Sequence, residues 1–251
     1  MSKIPKKIHY CWFGGKPLND MAIKCIESWK KYLPEYEIIE WNEDKFDVSS
    51  IKYTKEAYKE RKWAFVSDYV RLWALYNEGG IYMDTDIEVI KSYNDLLESD
   101  AFGGFENRNL ITTGVIGAKS KSLWIEKLLE YYSNKSFYDL KGNMELIPNT
   151  RIITDISKKL GLKLNGKNQV FYNNIQIYEK DYFAPKSALT NKLNKTENTY
   201  CIHHFSGSWK EDIPEDMNKL KFKIIETLGE DNYLYLAYKK DKLIKLLKNK
   251  L

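Results

Sequence analysis

The chain is poor in the residues that build cross-linked or metal-clamped scaffolds. Its 251 residues include only three cysteines and three histidines. Cys11, Cys25 and Cys201 are odd in number and show no CxxC spacing, which argues against a disulfide framework or a thiolate zinc site and is most consistent with a reducing compartment. No stretch reaches the ~18 consecutive apolar residues of a membrane span. The opening Met1-Ser2-Lys3-Ile4-Pro5-Lys6-Lys7 is followed by too short an apolar run for a signal peptide, so the expectation is a soluble, cytoplasmic protein. Internal repeats and low-complexity linkers are absent. An excess of one charge is nearly absent too: 40 Lys and Arg are interleaved with 35 acids, for a net +5. That balance is weak support for nucleic acid and fits small anionic ligands better.

What the chain does have is a core. Apolar residues make up 43% and aromatics 14%, which excludes global disorder. Ile8 to Phe13 is a nearly continuous apolar run ended by Gly14-Gly15, a buried strand entering a loop. Asn19 can cap a helix on which Met21, Cys25, Ile26, Trp29 and Leu33 recur at helical spacing, and Pro34 stops it. Tyr36 to Trp41 is a second strand, and strand–helix–strand opens a parallel α/β sheet. A short charged helix over 54–62 precedes a strong one from Ala64 to Glu78. Phe65, Tyr69, Leu72, Trp73 and Tyr76 form the stripe of that helix, and Gly79 is its C-cap. Strands are predicted over 101–106 and 111–118, helices over 122–133 and roughly 144–160, short strands after residue 165, and terminal helices ending with Asn232 to Leu251.

The most informative stretch is Gly79-Gly80-Ile81-Tyr82-Met83-Asp84-Thr85-Asp86. On an extended strand, residues two apart point to the same side. Asp84 and Asp86 would therefore converge at a strand end, where they repel unless a cation joins them. Oxygen ligands suit Mn²⁺ or Mg²⁺, usually shared with a substrate diphosphate; a polar strand end is the plain alternative. Asp68 and Arg71 lie one helical turn apart and fall off the apolar stripe, so they can face the ligand edge of the sheet or pair in solvent. His203-His204-Phe205-Ser206-Gly207-Ser208-Trp209 places two of the three histidines beside a glycine, where one imidazole could complete a metal site. Trp12, between a strand and Gly14-Gly15, can stack on a nucleobase or serve the core. Thr112-Thr113-Gly114 could line a sugar site.

Together these residues resemble a known family. Ile8-His9-Tyr10-Cys11-Trp12-Phe13-Gly14-Gly15 resembles the N-terminal strand of DXD-type sugar transferases. Ser67-Asp68-Tyr69-Val70-Arg71, continued by Leu75 to Asp86, resembles the "SDxxRxxxLxxxGGxYxDxD" signature of glycosyltransferase family 32. That group includes capsular-polysaccharide transferases of bacteria and outer-chain mannosyltransferases, and it is related to clostridial toxin glucosyltransferase domains. The resemblance implies an α/β fold of the glycosyltransferase-A type: a single Rossmann-like nucleotide-sugar-binding domain over 1–251, with a central mixed sheet. It has a nucleotide-sugar core at 1–120, an acceptor and metal-loop part at 121–215, and helical C-terminal additions at 216–251. It also implies the roles. Tyr10 and Trp12 would contact the nucleotide, and Asp68 and Arg71 the donor sugar, with Arg71 near the diphosphate. Asp84 would touch ribose or sugar and share the metal bound directly by Asp86. Thr113-Gly114 would contact sugar, although Thr112 replaces the usual Asn. His204, spaced as His204-x-x-Gly207, would complete the Mn²⁺ or Mg²⁺ site, with His203 as the competing choice, and Gly207, Ser208 and Trp209 would close over the diphosphate.

The activity implied is retaining transfer of a hexose or N-acetylhexosamine to a glycan, lipid-linked or glycoprotein acceptor. A UDP-sugar is the favoured donor and GDP-mannose the second; nucleic acid is not an expected partner. Pro148, Asn149 and Thr150 are candidates for the acceptor rim. The lysines after residue 238, spaced with Leu243, Ile244, Leu246 and Leu247, form a basic amphipathic helix that could touch a membrane. Three rivals are weaker. A haloacid-dehalogenase-like phosphohydrolase wants Thr or Val where Glu88 stands. A glycosidase needs carboxylates across a sugar ring, ~5 Å or more apart. A non-catalytic nucleotide-sugar module would have no need to keep both aspartates.

Overall fold

The computed structural model describes residues 3–206 and, beyond them, 224, 225, 227–230, 232–237, 239 and 240. Gly207, Ser208, Trp209 and the basic segment from residue 241 lie outside the described residues. The elements run β1 (Lys7–Cys11), α1 (Asp20–Tyr32), β2 (Glu37–Trp41), α2 (Lys52–Lys59), α3 (Trp63–Glu78), β3 (Gly80–Met83), β4 (Ile87–Val89), β5 (Ala101–Asn107), β6 (Leu110–Ile111), β7 (Val115–Ala118), α4 (Leu123–Glu130), α5 (Asn149–Lys159), β8 (Gln169–Phe171), β9 (Ile175–Tyr178), α6 (Lys180–Phe183) and β10 (Cys201–His203).

The main sheet is mixed, in the order β2-β1-β3-β7-β5-β9-β8, with β6 beside β5. Its first half is parallel, as the strand–helix–strand opening predicts: Ile8 pairs with Ile38 on one side and Ile81 on the other. β7 then runs antiparallel to both β3 and β5, and β9 runs parallel to β5. The C-terminal ends of β1, β2, β3, β5 and β9 therefore share one edge with the start of β7. A second, two-stranded sheet pairs β4 with β10 antiparallel and places His203 opposite Ile87.

Side-chain alternation along the central strands sorts the core onto two faces. Cys11 and Tyr82 pack with Phe65, Val66, Val70, Leu72 and Trp124 under α3 and α4. Ile8, Tyr10, Ile81 and Met83 pack with Trp29, Leu33, Tyr93 and Phe183 under α1. Asn19 caps α1 as expected, its side chain accepting from the Ala22 N–H at 2.9 Å.

The α3–β3 joint explains the double glycine. Gly79 (φ +68) closes α3, its N–H bonding Leu75 O at 3.0 Å, and Gly80 (φ +117) turns straight into the sheet. A Cβ on Gly80 would meet Lys7 O at 2.8 Å and His9 Nε2 at 2.9 Å. Fully buried His9 bridges this joint: its Nε2 donates to Gly79 O at 2.7 Å while Nδ1 accepts from Trp41 Nε1 at 3.1 Å.

Several sequence expectations are corrected. Asp84 and Asp86 are not on a strand: β3 stops at Met83, and the aspartates sit in the turn between β3 and β4. The predicted strand 111–118 breaks at Thr112-Thr113-Gly114, where Thr112 N bonds Gly104 O and the Thr112 hydroxyl accepts from Gly114 N. The helix predicted from about 144 begins at Asn149, since Pro148 lacks an N–H, fits the position before the first turn and would break a helix interior. The buried part of α3 is also broader than the expected stripe. Phe65 and Leu72 of the expected stripe are buried, but so are Val66, Val70, Ala74, Asp68 and Arg71, while Tyr69, Trp73 and Tyr76 are half-buried, because elements cover this helix on several sides.

Candidate functional site

The site is assembled at the C-terminal edge of the parallel strands, where open α/β sheets bind ligands. Arg71 is its buried hub. Its Nε donates to Ser67 O at 3.2 Å, Nη1 to Thr113 O at 2.8 Å and Nη2 to Asp68 Oδ1 at 2.9 Å. Nη1 also stands 3.2 Å from Asp84 Oδ1, and the guanidinium lies 4.5 Å above the Tyr82 ring. Burial opposes its charge, but Asp84, Tyr82 and Asp68 outweigh burial and hold the guanidinium firmly protonated. Burial also pushes the Asp68 carboxyl up to about 6; Arg71 opposes that rise and Asp84 adds to it. Asp68 and Arg71 thus form a desolvated ion pair rather than a solvated one.

The two aspartates are held from opposite sides. Tyr82 donates its hydroxyl to Asp84 Oδ1 at 2.8 Å, and the Asp84 N–H bonds Gly114 O at 2.9 Å. Asp86 is held by the segment that follows β10. His203 Nε2 stands 3.3 Å from Oδ1, the Ser206 N–H donates to Oδ2 at 2.9 Å, and its hydroxyl lies 3.0 Å from the same oxygen. Burial would raise Asp86, but its bonds to His203 and Ser206 prevail and hold it well below the usual carboxylate range. Burial would lower His203; Asp86 reverses this, and the imidazole is raised above its ordinary value.

Ligand atoms of Asp84, Asp86 and His203 all lie within 4.8 Å of one another. Two carboxylates and an imidazole suit a hard or borderline divalent ion such as Mn²⁺ or Mg²⁺. His203 Nδ1 is buried with no hydrogen-bond partner. The β10 alternation decides between the histidines. His203 turns toward the DxD turn, under a ceiling where a Cβ on Gly114 would come within 3.0 Å of its ring. His204 turns the other way, its Nε2 2.7 Å from Glu88 Oε2, which Lys24 also pairs at 3.0 Å. The geometry therefore brings His203, and not His204, to the aspartates.

Trp12 lies just past β1, half-buried, its Nε1 donating to Lys16 O at 2.6 Å. It lines a cavity of about 490 Å³ with Gly14, Gly15, Glu40, Glu43 and Tyr58. Glu43 shapes this cavity by accepting from the Gly14 N–H at 2.7 Å and the Tyr58 hydroxyl at 2.9 Å. Tyr10 is not a cavity wall: its ring packs edge-on to Trp29 in the core, and only its hydroxyl reaches toward the site, donating to Glu40 at 2.6 Å. Thr113 gives its carbonyl to Arg71, and Gly114 serves as the ceiling over His203, so this turn braces the site from behind. Tyr82 and Ser206 were not among the site residues assigned from sequence, and Asn149, a candidate there for the acceptor rim, lies against Asp68 and favours its ionised form. Tyr82 and Ser206 sit inside the quoted motifs and were legible there; the place of Asn149 depends on how α5 packs.

This set of buried charges falls in a stretch with a recognisable family pattern. Residues 19–103 match the family model of the glycosyltransferase sugar-binding region containing DXD motif. That region holds Asp68, Arg71, Asp84 and Asp86 and ends before the His203 segment. The α/β architecture with a central mixed sheet, and a DxD turn at the end of β3, agrees with what the sequence led us to expect. Among solved structures, the chain is similar to the PaToxG glycosyltransferase, at 20% identity over 62% of this chain and 68% of that one, with a TM-score of 0.49. It is similar to a transferase solved as a cysteine-to-serine mutant, at 12% identity over 63% of this chain and 86% of that one, TM-score 0.43. It is also similar to the galactosyltransferase LgtC in complex with donor and acceptor sugar analogues, at 13% identity over 89% of this chain and 96% of that one, TM-score 0.42. No curated protein sequence matches the chain.

Proposed function

We propose that the protein is a glycosyltransferase that moves a hexose or N-acetylhexosamine from a nucleotide sugar, with retention of configuration and with Mn²⁺ or Mg²⁺, to a glycan, polysaccharide-precursor or glycoprotein acceptor. A UDP-sugar is the favoured donor and GDP-mannose the second. The observation that carries the reading is the convergence of Asp84, Asp86 and His203 in front of buried Arg71.

In this reading Asp86, Asp84 and His203 hold the ion. Once bound, it supplies positive charge to the donor diphosphate as the sugar–oxygen bond breaks. Arg71 adds a fixed positive charge from behind, pre-oriented by Ser67 and Thr113 so that little reorganisation is needed during reaction. Asp68, beside Arg71 and Asn149, meets the sugar hydroxyls. Trp12 offers its ring to the base in the cavity bounded by Glu43 and Tyr58. Attack by the acceptor hydroxyl on the leaving-group face, with the leaving phosphate oxygen taking the proton, completes a retaining transfer. The cytoplasm is the proposed location, where nucleotide sugars are at hand.

The reading is tested by incubating the protein with a panel of UDP- and GDP-sugars and Mn²⁺ and measuring nucleotide release. Metal-dependent release from one donor supports it and names the sugar. No release, together with no Mn²⁺-dependent nucleotide binding, overturns it.

A further inference from the structure

Exposed apolar residues are mostly scattered over the surface, as is normal for folded proteins. The loop between α4 and α5 differs. Leu140 is 108% exposed, and Met144 and Leu146 are exposed beside it, three large apolar side chains within seven residues. The loop is held in shape. Asp139 Oδ1 accepts from the N–H groups of Lys141 and Asn143, and the Asp139 N–H bonds Asn143 O, so Leu140 is presented on a fixed turn.

Helix α2 lies against the base of this loop. Its two neighbouring acids are turned toward the loop: Glu56 accepts from the Ser136 hydroxyl at 2.7 Å and the Phe137 N–H at 2.8 Å, and Glu60 accepts from the Tyr138 hydroxyl at 2.5 Å. The loop's own acids are engaged too, Asp139 in the turn and Glu145 by Lys135. Lys52, Lys55 and Lys59, spaced i, i+3, i+7 on one face of α2, are all exposed, only Lys52 reaching an acid, at 3.8 Å from Glu56. Arg61 and Lys141 are exposed as well. The surface thus combines protruding aliphatic side chains with an excess of cations, Lys52, Lys55, Lys59, Arg61 and Lys62 against Glu56 and Glu60, whose carboxylates are turned toward the loop. That is the composition that binds an anionic interface, where lysines are attracted to the headgroups and apolar side chains enter the acyl boundary.

We propose that the outward face of α2 and the 139–147 loop form a docking surface for an anionic lipid bilayer, which brings a lipid-linked acceptor to the sugar site. Leu146 is three residues from Asn149, at most about 10 Å of chain, and Asn149 lies against Asp68. A bilayer contacting the loop would therefore lie at the acceptor side of the donor pocket. The lipid-linked acceptor rests on the transferase reading; the bilayer contact does not.

The test is co-sedimentation of the full chain with phosphatidylcholine vesicles, with and without phosphatidylglycerol. Binding is expected only with the anionic lipid. Lys52→Gln, Lys55→Gln and Lys59→Gln combined are expected to weaken it about 100-fold, and Leu140→Ser with Met144→Ser by about tenfold or more. These side chains are exposed, so folding is unaffected. Because Cys11, Cys25 and Cys201 are buried, a Leu140→Cys variant accepts an environment-sensitive dye selectively; its emission should shift to the blue on anionic vesicles. Absence of vesicle binding overturns the proposal. So does binding that survives both sets of substitutions with no dye shift, which would place the contact elsewhere. Neither result depends on turnover, so failure here leaves donor hydrolysis as the separate test of the transferase reading.

Discussion

Replacing Arg71 with Met should destabilise the protein in a pH-dependent way. The substitution keeps bulk but removes donors from Thr113 O, Ser67 O and Asp68 Oδ1, and a charge from beside Asp84. The Thr113 carbonyl, left short of a donor, costs about 1 kcal/mol or more, while Ser67 O keeps its backbone bond within α3. Asp68 is 7% exposed and cannot stay ionised cheaply without its partner. Its carboxyl already sits at about 6 with Arg71 present, and loss of Arg71 raises it further. Protonation is then the relief, and at pH 7 it limits this part of the penalty to about 1.4 kcal/mol for each unit that separates pH from the carboxyl's pKa. The sum at neutral pH is about 2–3 kcal/mol, at or just below the low end of the 3–5 kcal/mol typical of breaking a buried pair.

The sign follows from proton binding. A carboxyl raised in the folded state holds a proton that the unfolded chain has released, so its contribution to stability is fully present below about 4 and is lost as pH rises through the folded value. In the wild type that loss ends near pH 6; in the variant it continues above it. Urea unfolding at pH 6, 7 and 8 should show the gap between the two proteins widening with pH, by up to about 1.4 kcal/mol per unit. A gap that is constant over this range, or a variant as stable as wild type, would refute the reading of Asp68 and Arg71 as a buried, mutually dependent pair.

Gly80→Ala places a Cβ 2.8 Å from Lys7 O at a φ of +117, so thermal unfolding should fall by about 2 kcal/mol or more, roughly 4–8 °C for a chain of this size; an unchanged midpoint would mean the joint has slack. The histidines should separate in Mn²⁺-dependent nucleotide titrations. His203→Ala is expected to lose at least about tenfold in affinity while His204→Ala stays within about threefold, and the reverse order would restore His204 as the residue facing the DxD turn.

Local signals made much of this molecule legible. The Gly-Gly joint, the Asn19 cap and the i, i+3 placement of Asp68 and Arg71 depend on neighbours in sequence, and each is found where the residues predict. The aspartates converge as the spacing suggests, but for a different reason. A tight turn braced by Gly114 and Tyr82 brings them together, since the strand ends at Met83. What sequence could not supply depends on long-range packing. His203 rather than His204 faces Asp86 because β10 pairs with β4 in one register, and a one-residue slip would exchange them. Tyr10 reads as a ligand contact beside Trp12, yet strand alternation turns its ring into the α1 face. The buried face of α3 was legible only in part, at Phe65 and Leu72, because a helix covered from several sides carries no single apolar stripe.

The central claim is that Asp84, Asp86 and His203 form a divalent-cation site that holds a nucleotide diphosphate. The most direct measurement is calorimetric titration of UDP and GDP into the wild type and Asp86→Asn, each with Mn²⁺ and with chelator. The account predicts wild-type binding of one nucleotide that collapses with chelator, and no Mn²⁺-dependent gain in the variant. Equal affinity with and without metal, or a variant that binds as the wild type does, would contradict it.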